Sequence, residues 1–160
     1  EVMQIVNDLP VLDVLVNLGC TVEPCGSRVT CNPPPSDTDA DYLVHIPYDD
    51  AIIGRVVNEL ARAHFSWEGN EHYQSAATSD FMSWRGDENV NLIVTANAAF
   101  AARHRVATAL CKRLNLQDKN DRISLFQAVL YGNEWNGESW AEMKAKRMAF
   151  TVQPHEEIAF

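Results

Sequence analysis

A chain of 160 residues, 46% hydrophobic and 22% charged, is long enough for one domain with a sizeable core and too short for two ordinary ones. A formal net charge of −9 argues against a broad grip on duplex DNA, because that affinity comes from neutralising phosphates with Lys and Arg. No run of about twenty apolar residues occurs, which excludes a membrane-spanning helix. The first residues, Glu1-Val-Met-Gln-Ile5, lack the basic flank and apolar core of a secretory signal, so the expected location is the cytoplasm. Cys20, Cys25, Cys31 and Cys111 show no CxxC spacing and no adjoining His pattern, and read as buried thiols near the first strands rather than a zinc site.

Apolar residues at 3, 5, 6, 9, 12, 15, 16 and 18 approach a helical stripe that Pro10 must start or break. A helix is therefore expected from about Pro10 to Leu18, with Asp8 as its cap and Gly19 as its stop. Two strands should follow, one carrying Val22 and Val29 and the other Tyr42 to Ile46, bracketing a turn rich in Pro and Asp. Asp49 can cap the next helix, expected from Asp50 to about Phe65. Its stripe is Ile52, Ile53, Val56, Val57, Leu60, Ala61 and His64.

Beyond Ser66-Trp-Glu-Gly69, His72 reads as an ordinary surface or hydrogen-bonded histidine. Trp84 and Val90 flank a short turn at Gly86-Asp-Glu88, which predicts a hairpin of Phe81–Arg85 with Val90–Thr95. In the second strand Val90, Leu92 and Val94 alternate with Asn91, Ile93 and Thr95, so Asn91 lies on the face opposite Val90. A long helix capped by Asn97 should reach Leu114, with Phe100, Val106, Ala107, Leu110 and Leu114 as its apolar side. Another, Arg122–Tyr131, is capped within Gln117–Asp121 and stopped by Gly132, with Ile123, Phe126, Ala128, Val129 and Leu130 read as core. The fold class expected is α+β, one domain over residues 1–160 with a short mixed sheet packed by helices. Its core spans about 10–132, and a helical tail occupies 134–160. Positive charge gathers between Arg103 and Arg122, as a meeting point for a nucleotide or an RNA end or as a solvated helix face.

Asp37, Asp39 and Asp41 fall on alternate residues at the mouth of a strand, so Asp39 and Asp41 share a face while Ala40 points away. Such a pair suits a hard divalent ion, above all Mg²⁺, which takes one or two carboxylates and fills its remaining positions with water and phosphate. Upstream, Gly26-Ser27 lets backbone N–H groups approach a phosphate with no Cβ in the way.

Gly26-Ser27, the eleven residues Arg28 to Thr38, then Asp39-Ala-Asp41 running into Tyr42-Leu-Val44, resemble the nucleotidyltransferase superfamily that includes DNA polymerase β and the minimal nucleotidyltransferases. A second register, Asp37-Thr-Asp39 after nine residues, would place a charged Asp41 inside the strand and is less favoured. The resemblance covers about 25 residues closely and the elements up to about residue 132 more loosely. It implies Mg²⁺ or Mn²⁺ held by Asp39 and Asp41, and a nucleoside triphosphate whose phosphates meet Gly26, Ser27 and Arg28. It also implies transfer of a nucleoside monophosphate to a hydroxyl of a protein, an RNA end or a small molecule. The segment from Leu114 to Asn133 is also similar to small nucleotidyltransferase-like proteins of bacteriophages, which would place the chain in a host cytoplasm.

Two departures stand out. The family's third catalytic carboxylate matches Asn91, an amide that can offer an oxygen to a metal but cannot act as a base; Asp87 and Glu88 are candidates for a displaced carboxylate. Pro33-Pro-Pro35 stiffens a loop that is usually glycine-containing. A nucleotide- or protein-binding module without turnover is therefore the alternative, and an acidic turn in an unrelated α+β protein is a third.

Overall fold

The computed structural model describes residues 9–36, 38–71, 80–87 and 89–132. Along the chain run α1 (Pro10–Asn17), β1 (Thr21–Cys25), α2 (Ser27–Thr30), β2 (Ala40–His45), α3 (Asp50–Arg62), β3 (Ser66–Glu71), β4 (Phe81–Gly86), β5 (Val90–Thr95), α4 (Ala98–Leu114) and α5 (Lys119–Tyr131). The expectations for Asp8, Asp37, His72, Glu88 and the tail at 134–160 lie outside the described residues. The architecture is α+β, as the sequence predicts. Among the described residues no helix is long and apolar enough to cross a membrane.

The strands form one sheet in the order β1-β2-β5-β4-β3. Only β2 and β5 run parallel, which requires the long excursion through α3, β3 and β4 between them. The other neighbours are antiparallel, and β4 and β5 make the predicted hairpin, with Asn89 at its turn in a left-handed conformation (φ 61).

Alternation along the strands divides the sheet into two unlike faces. On one, Val22, Tyr42, Val44, Trp84, Val90, Leu92 and Val94 pack with Leu12 and Leu15 of α1 and Val56 and Leu60 of α3 into a closed apolar layer. Each fully buried Leu or Val there contributes roughly 1.5–3 kcal/mol, so this face anchors the fold. On the other face, Cys25, Leu43 and Ile93 meet Ala101 of α4. Phe81 continues that face against Phe100, Ala107, Cys111, Phe126 and Leu130 of α4 and α5.

Several boundaries differ from expectation. Val29 belongs to a single helical turn, not to a strand: Gly26 (φ 77) swings the chain out of β1, and the N–H groups of Val29 and Thr30 both donate to the Gly26 carbonyl. Helix α3, capped by Asp49 as predicted, stops at Arg62 because Phe65 N–H donates back to Leu60 O and His64 turns left-handed (φ 65). Leu9, not an acidic side chain, occupies the cap position of α1. Ser66–Glu71, unassigned from sequence, is the edge strand β3. Helix α5 starts three residues early, at Lys119, because Asp118 accepts from the N–H groups of Asn120 and Asp121. Its Ala128 faces solvent.

The largest revision concerns α4. Val106, Leu110 and Leu114 are 52%, 38% and 58% exposed, whereas the buried stripe is Phe100, Ala101, His104, Ala107 and Cys111. Small residues and a histidine let the helix lie close to the sheet. Burial and, next, the Arg105 charge hold His104 down to about 4, so it is neutral in the fold. The folded state thus binds fewer protons than the unfolded chain, whose His titrates near 6.5. The stability this residue supports is complete above that value and is lost as pH falls toward 4. Replacing His104 with Leu should therefore flatten the loss of melting temperature on acidification through that window, with the variant-to-wild-type difference changing by about 1 kcal/mol per pH unit at most. A constant difference between pH 7 and pH 4.5 would show that His104 does not titrate this way.

Candidate functional site

The antiparallel pairing of β1 with β2 sets Cys25 directly across from Asp41, and the parallel pairing of β2 with β5 sets Asp41 across from Asn91. β4 then brings Arg85 opposite Asn91. Sheet register alone thus lines Asp41, Asn91 and Arg85 along one row on the half-open face. Asp39, one residue before β2, reaches the same row: Asn91 Nδ2 donates to Asp39 Oδ2 at 3.3 Å and also hydrogen-bonds Asp41.

Gly26 closes the row on the β1 side. A Cβ at that position would lie 2.0 Å from Asp41 Oδ2, and its φ of 77 is one that L side chains rarely adopt, so both space and backbone demand glycine. Ser27 follows at the start of α2, and its hydroxyl hydrogen-bonds the hydroxyl of Thr38 at the far end of the loop. Arg28 is exposed; its Nε and Nη2 donate to Thr38 O at 3.1 and 2.9 Å, so the guanidinium clamps the loop rather than lining the cavity. The loop is also tied to the α4–α5 corner: Asn115 exchanges hydrogen bonds with Asn32, and Arg122 donates to Cys31 Sγ, Leu116 O and Gln117 O.

The Gly26 turn and the carboxylate row line a cavity of about 530 Å³, within the roughly 300–1,000 Å³ usual for ligand pockets. Gly26, Ser27, Thr38, Asp39, Asp41, Glu68, Arg85 and Asn91 form its polar half, and Lys119 and Arg122 from the basic segment of the chain line it from α5. Asp87 is exposed in the hairpin turn and does not reach it. Arg85, Glu68 and Thr38 escaped the sequence reading, although alternation from Trp84 would have put Arg85 on the Asn91 face. Glu68 was invisible because its strand was.

Charge is finely set here. Burial pushes the Asp41 carboxyl up to about 6; the Asn91 hydrogen bond opposes the rise, the Asp39 charge adds to it, and the Arg85 and Arg28 charges oppose it. Arg85 Nη1 lies 3.4 Å from Asp39 Oδ2 and its Nε 3.4 Å from Glu68 Oε2, linking the two acids across the pocket. The neighbouring Cys25 thiol is driven well above its usual range by burial, then by Asp41 and Glu23, and is no nucleophile.

Two carboxylates with an amide oxygen make a donor set for a hard cation, and the Asn91 Oδ1 is a buried oxygen with no hydrogen-bond partner among the described residues. The residues present fit such an ion. Among the described residues no cluster of three or more His, Cys, Asp or Glu forms a ligand set, so the amide would be the third protein donor.

No protein-family model and no curated protein matches the chain. Among solved structures it is similar to terminal uridylyl transferase 4 from Trypanosoma brucei with bound UTP and UpU, at 13% identity and a TM-score of 0.41. The similarity covers 72% of this chain and 39% of that one. What the site can do is accordingly read from this chain's own side chains.

Because the folded pKa of Asp41 lies above its unfolded value of 3.8, the folded state binds the extra proton, and the ionised carboxylate costs stability above about pH 6. In the presence of EDTA, Asp41→Asn should be more stable than wild type at pH 8 by on the order of 2 kcal/mol, an advantage gone by about pH 4. Equal urea midpoints at pH 8 would show that the carboxylate is not strained by its burial. Gly26→Ala should cost about 1–3 kcal/mol through clash and backbone strain, read from the same denaturation curves.

Proposed function

We propose that the chain binds a nucleoside triphosphate in this cavity and transfers its nucleoside monophosphate to a hydroxyl acceptor. The observation that carries the proposal is the contact between the Gly26 turn and Asp41. It sets the Gly26 turn, with the Ser27 and Thr38 hydroxyls, immediately beside Asp39 and Asp41. An arrangement of that kind suits a ligand that is itself a phosphate chain carrying a divalent ion.

In the proposed complex Asp39, Asp41 and Asn91 Oδ1 hold Mg²⁺ or Mn²⁺, which when bound supplies charge neutralisation for the triphosphate. The Ser27 hydroxyl and the N–H groups at the start of α2 donate to the β- and γ-phosphates. The acceptor oxygen attacks the α-phosphorus, a new P–O bond forms, the bond to the bridging α–β oxygen breaks, and pyrophosphate leaves. The acceptor's proton needs a base, and Asn91 is not one. Glu68 is the remaining carboxylate among the pocket-lining residues and is assigned that role. Arg85, between Glu68 and Asp39, must release Asp39 for the ion and is then free to meet phosphate charge.

The pairing of Arg85 with Asp39 also favours a second reading, a nucleotide-binding module without turnover, since a guanidinium on the acid pair and an amide at the third position both weaken a metal site. Turnover separates the two. Wild-type protein with a labelled nucleoside triphosphate, Mg²⁺ and cell extract should release pyrophosphate, and Glu68→Gln should slow this roughly a hundredfold. Binding without any pyrophosphate release, and no gain from Asn91→Asp, would establish the module instead. Asp39→Ala with Asp41→Ala should abolish Mg²⁺-dependent triphosphate binding by calorimetry; unchanged affinity in the folded double variant would remove the site altogether.

A further inference from the structure

The cavity does not end at the carboxylates. Following β4 and β5 away from Arg85 and Asn91, its floor passes Ser83 and Ile93 to Phe81; α4 closes it with His104, and α5 with Ile123 and Phe126 together with the charged Lys119 and Arg122. We propose that this apolar arm seats the heteroaromatic base of the bound nucleotide, with His104 hydrogen-bonding the base edge. The inference rests on the nucleotide reading of the polar half and adds to it the part of the ligand that selects the substrate.

Three observations converge on it. First, the arm is chemically opposite to the carboxylate end. Phe81, Ile93, Ile123 and Phe126 offer a planar base stacking and packing area at little desolvation cost, while Lys119 and Arg122 of α5 also line the cavity and can meet the charge of the same ligand. Second, the walls are held in place before any ligand arrives. Phe81 stacks on Phe100 with centroids 5.2 Å apart, and the His104 ring is fixed between Phe100 at 5.8 Å and the edge of Phe126 at 5.0 Å. Third, His104 is 2% exposed, lines the cavity, and has no hydrogen-bond partner for its Nδ1 among the described residues. A buried polar atom left unpaired among aromatic rings is costly unless a ligand completes it.

Arg105 is the charged neighbour that acts on His104, from the next position on the same helix, while the elements packed against the ring present Phe100 and Phe126. The imidazole therefore stays neutral at physiological pH, offering one N–H donor and one lone pair. A base edge carries both kinds of partner. The Ser83 hydroxyl, on the floor nearer the carboxylates, is placed toward the sugar.

The test compares ATP, GTP, CTP and UTP with inorganic tripolyphosphate, each with Mg²⁺, by calorimetry on the full chain. Wild type should bind at least one nucleotide about tenfold or more tightly than tripolyphosphate. Ile123→Trp, at a half-buried position, should fill the arm and erase that preference while changing tripolyphosphate affinity by less than about twofold. The His104 imidazole resonances should shift with the preferred nucleotide and not with tripolyphosphate, and His104→Gln should alter the ranking of the four bases. Nucleotide binding that is unaffected by Ile123→Trp, with His104 resonances unmoved, overturns the base-binding arm and leaves the nucleotide reading standing. If wild type binds neither nucleotide nor tripolyphosphate, the nucleotide reading itself falls, and the arm with it. A His104 shift with a short oligoribonucleotide and with no triphosphate would give the arm to an acceptor and equally overturn the proposal.

Discussion

The contact of Gly26 with the Asp41 carboxylate is the constraint from which the rest of the polar half follows. No side chain larger than hydrogen fits at residue 26, since its Cβ would stand 2.0 Å from Asp41 Oδ2. The β1–β2 register makes this approach unavoidable, because Cys25 and Asp41 are direct partners and the chain must leave β1 at the next residue. Gly26 turns it with φ 77, and α2 starts at once. The same turn thus removes the chain from the sheet edge and makes room for the half-buried Asp41 carboxylate. Sequence, register and chemistry meet in one residue.

Around that contact the electrostatics are a compromise. Asp41 is ionised against the cost of its burial, and the groups that help it are the neutral Asn91 and the positive Arg85 and Arg28. Asn91 donates to the carboxylates and Arg85 pairs with Asp39. Both contacts are long, at 3.3 and 3.4 Å, and Arg85 and Asp39 are partly exposed, so water screens the pair and its net worth is small. Small contributions are easily exchanged. A site whose counter-charges are weakly held can yield them to a ligand at little cost.

The sequence made much of this legible, for identifiable reasons. Strand and helix identities in β2, β5, α3 and α4 followed from strong periodicity, and caps at Asp49 and Asn97 were placed correctly because a short polar side chain before an apolar stripe has one good use. The same periodicity misled on α4, where counting large apolar residues selected Val106, Leu110 and Leu114. Close packing against the sheet instead selected small residues and His104. In the site, local spacing placed Gly26, Ser27, Asp39 and Asp41 near one another, and alternation put Asn91 on their face. Arg85 and Glu68 reach the cavity through pairing between distant segments, and β3, being a polar edge strand with Gly69 and Asn70, carries almost no alternation to read. Arg28 adjoins the motif, yet its side chain is engaged by Thr38 O, a partner ten residues away.

Why the cavity opens on one face of the sheet and not the other is a matter of how the covering elements are distributed. α1 and α3 seal the first face with Leu12, Leu15, Val56 and Leu60, all fully buried. On the second, α4 lies over Cys25, Leu43 and Ile93, and α4 with α5 covers Phe81 of β4, leaving the row of Asp41, Asn91 and Arg85 lining the cavity. An acid pair fully buried under a helix would cost far more than the marginal stability of a domain allows. At the mouth of β2, open to the cavity, the pair is tolerable, because the sealed face supplies the stability. The apolar arm sits where these two regimes meet, with the polar row at one end and the α4–α5 aromatic cluster at the other. An amphipathic ligand, charged at one end and flat and apolar at the other, is the shape of molecule that such a boundary accommodates without leaving either end mismatched.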